Sequence, residues 1–146
     1  MSQLITVNFQ LKSNIMKLED LLVYRKLFKL VLEVHDMTML FPKFELYELG
    51  SQLRRSSNSA PANLAEGFGN KHTNIYLECI SRAQGEIRET KHHIRIAEGK
   101  KYISHEITID FIQRYEECSK MLFGLEDSLS KNPLKKDSRF KIKVER

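Results

Sequence analysis

Glu89-Thr-Lys-His92 sets a carboxylate and an imidazole three residues apart, so a helix would carry both on one face in the spacing used by di-metal carboxylate bundles. Such a site also needs a second Glu-x-x-His and a carboxylate from each remaining helix, and this sequence offers one copy. His92-His93 lacks the i, i+4 spacing of a helical metal pair, and His35, His72 and His105 are scattered. Ser56, Ser57 and Ser59 lie close together, but no histidine and acid can be assigned to activate any of them. Gly67-Phe-Gly-Asn70-Lys71 lacks the full glycine-lysine spacing of a phosphate-cradling loop and any strand before it. The reading is therefore of a non-catalytic protein with no metal and no cofactor.

The cations are better placed for chemistry than the nucleophiles. Arg54 and Arg55 sit about two turns before Pro61 on one predicted helix, where they could reach nucleic-acid phosphate or pair with an acid such as Glu66 or Glu89. Pairing is the preferred expectation, because an unpaired guanidinium beside a packed stripe is costly. The second group is C-terminal. Residues 131–146 hold seven cations against two anions, the whole net charge of +5, so the rest of the chain is neutral. Lys135, Lys136, Arg139, Lys141 and Lys143 within it are, with Arg54 and Arg55, the expected phosphate-binding residues.

Helices must position these groups. Apolar residues recur at Leu18, Leu21, Leu22, Phe28, Val31, Leu32 and Met39, which predicts helix one over 18–40. Phe41-Pro42 interrupts it, because the residue before proline is pushed out of the helical region. Helix two is predicted from Phe44 to Gly67 with Leu46, Leu49, Leu53, Ser57, Ala60 and Leu64 on one stripe. Pro61 falls inside it, removing one donor and crowding the Ser57 carbonyl at about 3 kcal/mol, so a kink is expected, with small neighbours allowing close packing and Ser and Asn side chains covering freed carbonyls. Helix three, Thr73 to Glu98, repeats Tyr76, Ala83, Thr90 and Ala97 with Ile80, Ile87 and Ile94 in heptads. Gly99 closes it, Ser104 caps helix four, and Phe111, Tyr115, Cys118, Leu122, Leu125 and Leu129 continue the seven-residue period until Asn132-Pro133. Short connections and seam periodicity predict an all-α, antiparallel up-down-up-down, left-handed four-helix bundle of helices 23–27 residues long. Its expected organisation is a peripheral extension (1–17), the bundle (18–130) and a basic tail (131–146).

At 41% hydrophobic and 29% charged residues, the chain suits one domain with a real core. It has no run of 18 apolar residues and no secretory signal pattern, so the expected location is the cytoplasm, with no membrane partner. Cys79 and Cys118 fall on apolar stripes, as reduced core thiols do.

Phe41-Pro42, Gln52-Leu-Arg-Arg55, Ser59-Ala-Pro-Ala-Asn-Leu-Ala-Glu-Gly67 and Ala83-x-Gly85-x-x-x-Glu89 together resemble the four-helix bundle family of proteins encoded in 23S rRNA intervening sequences. The likeness runs from about Leu18 to Leu129. That family is similar to the accessory variability determinant of diversity-generating retroelements, a homopentameric barrel of such bundles that binds nucleic acid and a reverse transcriptase. The resemblance implies a homo-oligomer, expected to be pentameric, that binds structured RNA or DNA; a scaffold for a protein such as a reverse transcriptase is the alternative. Where the family usually has Arg-Gly-Ser in helix three, this chain has Gln84-Gly85-Glu86, which predicts a less basic surface there and favours the intervening-sequence type over a retroelement accessory.

Overall fold

The structure is a computed structural model, and it describes residues 16–131. Among these the regular elements are all helical: α1 (Leu22–Thr38), α2 (Leu49–Gly67), α3 (Thr73–Gly99) and α4 (His105–Lys131), with short 3₁₀ turns at Leu18–Asp20 and Lys43–Glu45. The first two helices are shorter than expected, because those turns take what the apolar pattern assigned to their N-terminal ends. Among the described residues no helix is long and apolar enough to cross a membrane. The extension before residue 16 and the tail after Lys131 lie outside the described residues.

The seam of α3 is the spine of the core. Tyr76, Ile80, Ala83, Ile87, Thr90, Ile94 and Ala97 are all buried, as are Phe111, Tyr115, Cys118 and Leu122 of α4, and each fully buried aliphatic side chain contributes about 1.5–3 kcal/mol. The most extensive interface is between α2 and α3; α1 packs on α2, α4 on α3, and α4 also touches α1. Close approach between α2 and α3 depends on small residues. A Cβ on Gly67 would stand 2.6 Å from the Cβ of Cys79, so no larger side chain fits without movement. Cys79 and Cys118 are buried free thiols, and burial raises the pKa of both, that of Cys118 to about 11.

Pro61 is buried inside α2. The hydroxyls of Ser56, Ser57 and Ser59 donate to the carbonyls of Leu53, Arg54 and Arg55, and the Asn63 amide donates to that of Ser59. The expected side-chain bonds do form, but on neighbouring carbonyls and not on that of Ser57, which Pro61 deprives of its donor.

α1 differs most from its apolar pattern. Its buried stripe is Val23, Leu27, Leu30, Val34 and Met37, whereas Leu22, Phe28, Leu32 and Met39 are each about half exposed or more, at 48%, 52%, 56% and 53%. The helix is apolar on more than one side, and the sequence pattern had picked the outer one.

Two connections meet at one end of the molecule. The Glu45 carboxylate, 2% exposed, accepts hydrogen bonds from the backbone N–H of Leu49 (3.1 Å), the Lys100 ammonium (2.8 Å) and the Tyr102 hydroxyl (3.2 Å). It thereby caps the start of α2 and ties the α1–α2 connection to the α3–α4 connection. The Lys100 ammonium holds the carboxyl of Glu45 below its ordinary pKa, against the opposing effect of burial. α3 ends at Gly99, as expected, but the left-handed conformation in the second connection falls on Lys101 (φ 65°), while Ser104 caps α4 by accepting the N–H of Ile107 (3.2 Å).

Candidate nucleic-acid interface

The adjacent arginines of α2 face opposite environments. Arg54 is half-buried: its Nη1 donates to the Thr38 hydroxyl (2.9 Å) and its Nη2 to the Leu46 carbonyl. Its guanidinium therefore clips α2 to the end of α1 and to the connection between them, through a hydroxyl and a carbonyl where a carboxylate was expected. Arg55 points out, with 71% of its side chain exposed, and lies 3.3 Å from Glu89 on α3. The other expected partner, Glu66, is exposed.

Glu89 joins two side chains. The same oxygen that meets Arg55 lies 3.3 Å from Nε2 of His93, one turn further along α3; His92, its partner in the Glu-x-x-His spacing, points to solvent. Beneath this cluster, the Thr90 hydroxyl lies 2.8 Å from both the Ser56 Oγ and the Glu86 carbonyl, bridging α3 to α2. Glu86 sits beside Glu89, and burial together with that like charge raises its pKa. Among the described residues no three metal-ligating side chains converge.

The same helix carries a basic surface that the Gln84-Gly85-Glu86 reading did not anticipate. Arg88, Lys91, His92 and Arg95 follow the i, i+3, i+4, i+7 pattern that places side chains on one helical face, and over seven residues the stripe extends about 10 Å. Arg88, His92 and Arg95 are exposed and Lys91 is half-exposed. None of the three permanent cations has a hydrogen-bond or carboxylate partner among the described residues. The spacing was present in the sequence. What it did not show was that the α3 acids, Glu86 and Glu89, point instead toward α2.

Lys135, Lys136, Arg139, Lys141 and Lys143 lie outside the described residues. Of the seven expected binding residues, then, the structure places two: Arg54 inside a packed joint and Arg55 at the surface in an exchangeable ion pair.

A family model described as 23S rRNA-intervening sequence protein matches residues 19–124. No curated protein matches the chain. Among solved structures, the chain is similar to a protein of unknown function from the S23 ribosomal protein family of Bacteroides thetaiotaomicron VPI-5482, with a TM-score of 0.67 at 18% identity over 72% of this chain and 95% of that one. At that identity the likeness is one of fold.

Proposed function

The chain belongs to the 23S rRNA-intervening sequence protein family, and from that premise we propose that it is a non-catalytic, cytoplasmic, homo-oligomeric bundle that binds structured RNA or DNA through the outer face of α3. The observation that carries this reading is the row of Arg88, Lys91 and Arg95, cations with no partner among the described residues and therefore open to phosphate. Arg55 adds to it when phosphate displaces Glu89, an exchange that costs little because an exposed pair contributes at most about 1 kcal/mol. The basic tail supplies further cations, and several tails on one oligomer raise avidity without a new kind of contact.

Self-association, with five copies as the expected number, is supported by the outer side of α1. Tyr24, Phe28, Val31 and Leu32 with Pro61 and Ala65 of α2 line an apolar groove that a single chain leaves open to water. The up-down-up-down, left-handed arrangement with a bend at Pro61 is part of the same proposal; the meeting of two connections at Glu45 supports the antiparallel order.

The test is binding of the full chain to 23S rRNA fragments across a salt series, against an Arg88→Glu/Lys91→Glu/Arg95→Glu variant. The expected result is weaker binding and a shallower salt dependence; equal affinity and slope for both proteins would sink the proposal. A second reading, a scaffold for another protein such as a reverse transcriptase, draws support from Leu40, Phe44 and Tyr47, which are 87%, 68% and 85% exposed around the α1–α2 connection. Capture of such a partner that survives nuclease treatment but is lost in a Phe44→Ser/Tyr47→Ser variant would favour it.

A further inference from the structure

Between α1 and α4 runs a groove of about 540 Å³ whose chemistry is the inverse of the α3 face. Its floor is apolar, formed by Met37, Leu40, Ile107 and Phe111, with Leu40 87% and Ile107 44% exposed. Its edges carry Glu33, Asp36, Glu106 and Asp110. Glu33 and Asp110 share Arg114, whereas Asp36 and Glu106 have no partner among the described residues. An apolar floor between unpaired acids calls for an occupant that alternates apolar and basic side chains.

The chain contains such a segment. Arg139-Phe140-Lys141-Ile142-Lys143-Val144 alternates strictly, so in an extended conformation Phe140, Ile142 and Val144 share one side and the three cations the other. The lengths agree as well. From Lys131, at the end of α4, the groove extends back along the helix from Phe111 to the residues just before α4, about 30 to 42 Å at about 1.5 Å per residue. At full extension, about 3.3 Å per residue, Phe140 can reach at most about 30 Å and Val144 about 43 Å from the same point, which is enough to enter the groove after the chain reverses. We propose that residues 139–144 dock in the α1–α4 groove, their apolar side chains on its floor and their flexible basic stems bent toward Asp36 and Glu106. Docking engages Lys141 and Lys143, two of the tail cations offered above to phosphate, so for those two the uses are alternatives; the inference itself requires only the groove, the segment and their opposite charges.

Carbodiimide coupling of the full chain, which joins a lysine to a carboxylate in contact with it, tests this by mass spectrometry. A segment moving freely would couple mostly to Glu126 and Asp127, one turn from its root. The expected result is that Lys141 and Lys143 couple severalfold more to Asp36 and Glu106 than to those two. A Phe140→Ser/Ile142→Ser variant, which changes none of the described residues, should reverse the preference. Coupling that favours Glu126 and Asp127 in the unaltered chain, or that the double substitution leaves unchanged, overturns the proposal.

Discussion

The outer face of α3 and the joint around Glu45 are built from the same kinds of residue and differ in whether charges are answered. At the joint, a buried carboxylate meets a backbone N–H, an ammonium and a phenol, so its polar groups are satisfied and it serves to hold two connections together. On α3, Arg88, Lys91 and Arg95 stand in a row without a counterion among the described residues. A charge that the fold uses is matched within the fold; a charge left unmatched at the surface is available to something else. Arg54 and Arg55 show a milder form of the contrast within one dipeptide: Arg54 is held inside a packed joint, Arg55 in an exposed ion pair that can exchange.

The largest expected effect breaks the α3 side of this comparison. Reversing Arg88, Lys91 and Arg95 together should lower nucleic-acid affinity by about a hundredfold at low salt and flatten the log-log salt dependence by about 2 to 3, given about 0.9 per phosphate contact on a duplex. The melting temperature should change little, as calorimetry would report.

The two arginines come next, and they should separate. Arg54→Ala removes hydrogen bonds to Thr38 and Leu46 from a half-buried site and should cost about 1–3 kcal/mol in urea denaturation. Arg55→Ala should stay within about 1 kcal/mol of the parent and weaken nucleic-acid binding instead. If Arg54→Ala were stable and Arg55→Ala were not, the distinction drawn here between the two environments would be wrong.

At the joint, pH provides the test. The folded-state pKa of Glu45 lies below its ordinary value, about 4.5, so its contribution is fully present above that value and is lost as pH falls through the lowered one. Thermal unfolding followed from pH 7 downward should show a loss of stability below about pH 4.5 that is smaller in Glu45→Gln, which should also be less stable than the parent at neutral pH. A Glu45→Gln protein with an unchanged acid profile would remove this carboxylate from the account.

The smallest effect concerns a polar group that the rule of matching does not cover. The Tyr115 hydroxyl is buried with no hydrogen-bond partner among the described residues, and burial pushes its pKa far up. Tyr115→Phe deletes that unmet group while keeping the ring, so stability should be unchanged or raised by up to about 1 kcal/mol in the denaturation midpoint.

How much of this could be read from the residues varies by helix. The seams of α3 and α4 were legible because heptad spacing leaves one apolar stripe, and every core position expected on α3 is buried. α1 was not, since a helix apolar on several sides gives no periodic signal to choose between them. The start of α2 was placed five residues early, at Phe44, because its cap is the side chain of Glu45, whose orientation depends on Lys100 and Tyr102 some 55 residues away. In the candidate site, Arg55–Glu89 was anticipated as a pair. The stripe at Arg88, Lys91 and Arg95 was overlooked because the substitution at Gln84-Gly85-Glu86 drew the charge reading one turn too early.

By itself the sequence determined that this chain is helical, where α3 and α4 begin and end, the buried seam of α3 and that of α4 as far as Leu122 (Leu125 and Leu129 beyond it are half-buried), and the family to which it belongs. Those properties follow from local periodicity, capping and a contiguous motif, all of which act within a few residues. Only the tertiary structure decided which side of α1 is buried, that Arg54 turns inward while Arg55 does not, that Glu45 bonds across two connections, and that the α3 cations stand unpaired. Each of these depends on what another helix presents at the same place, and composition and spacing along one chain do not carry that information.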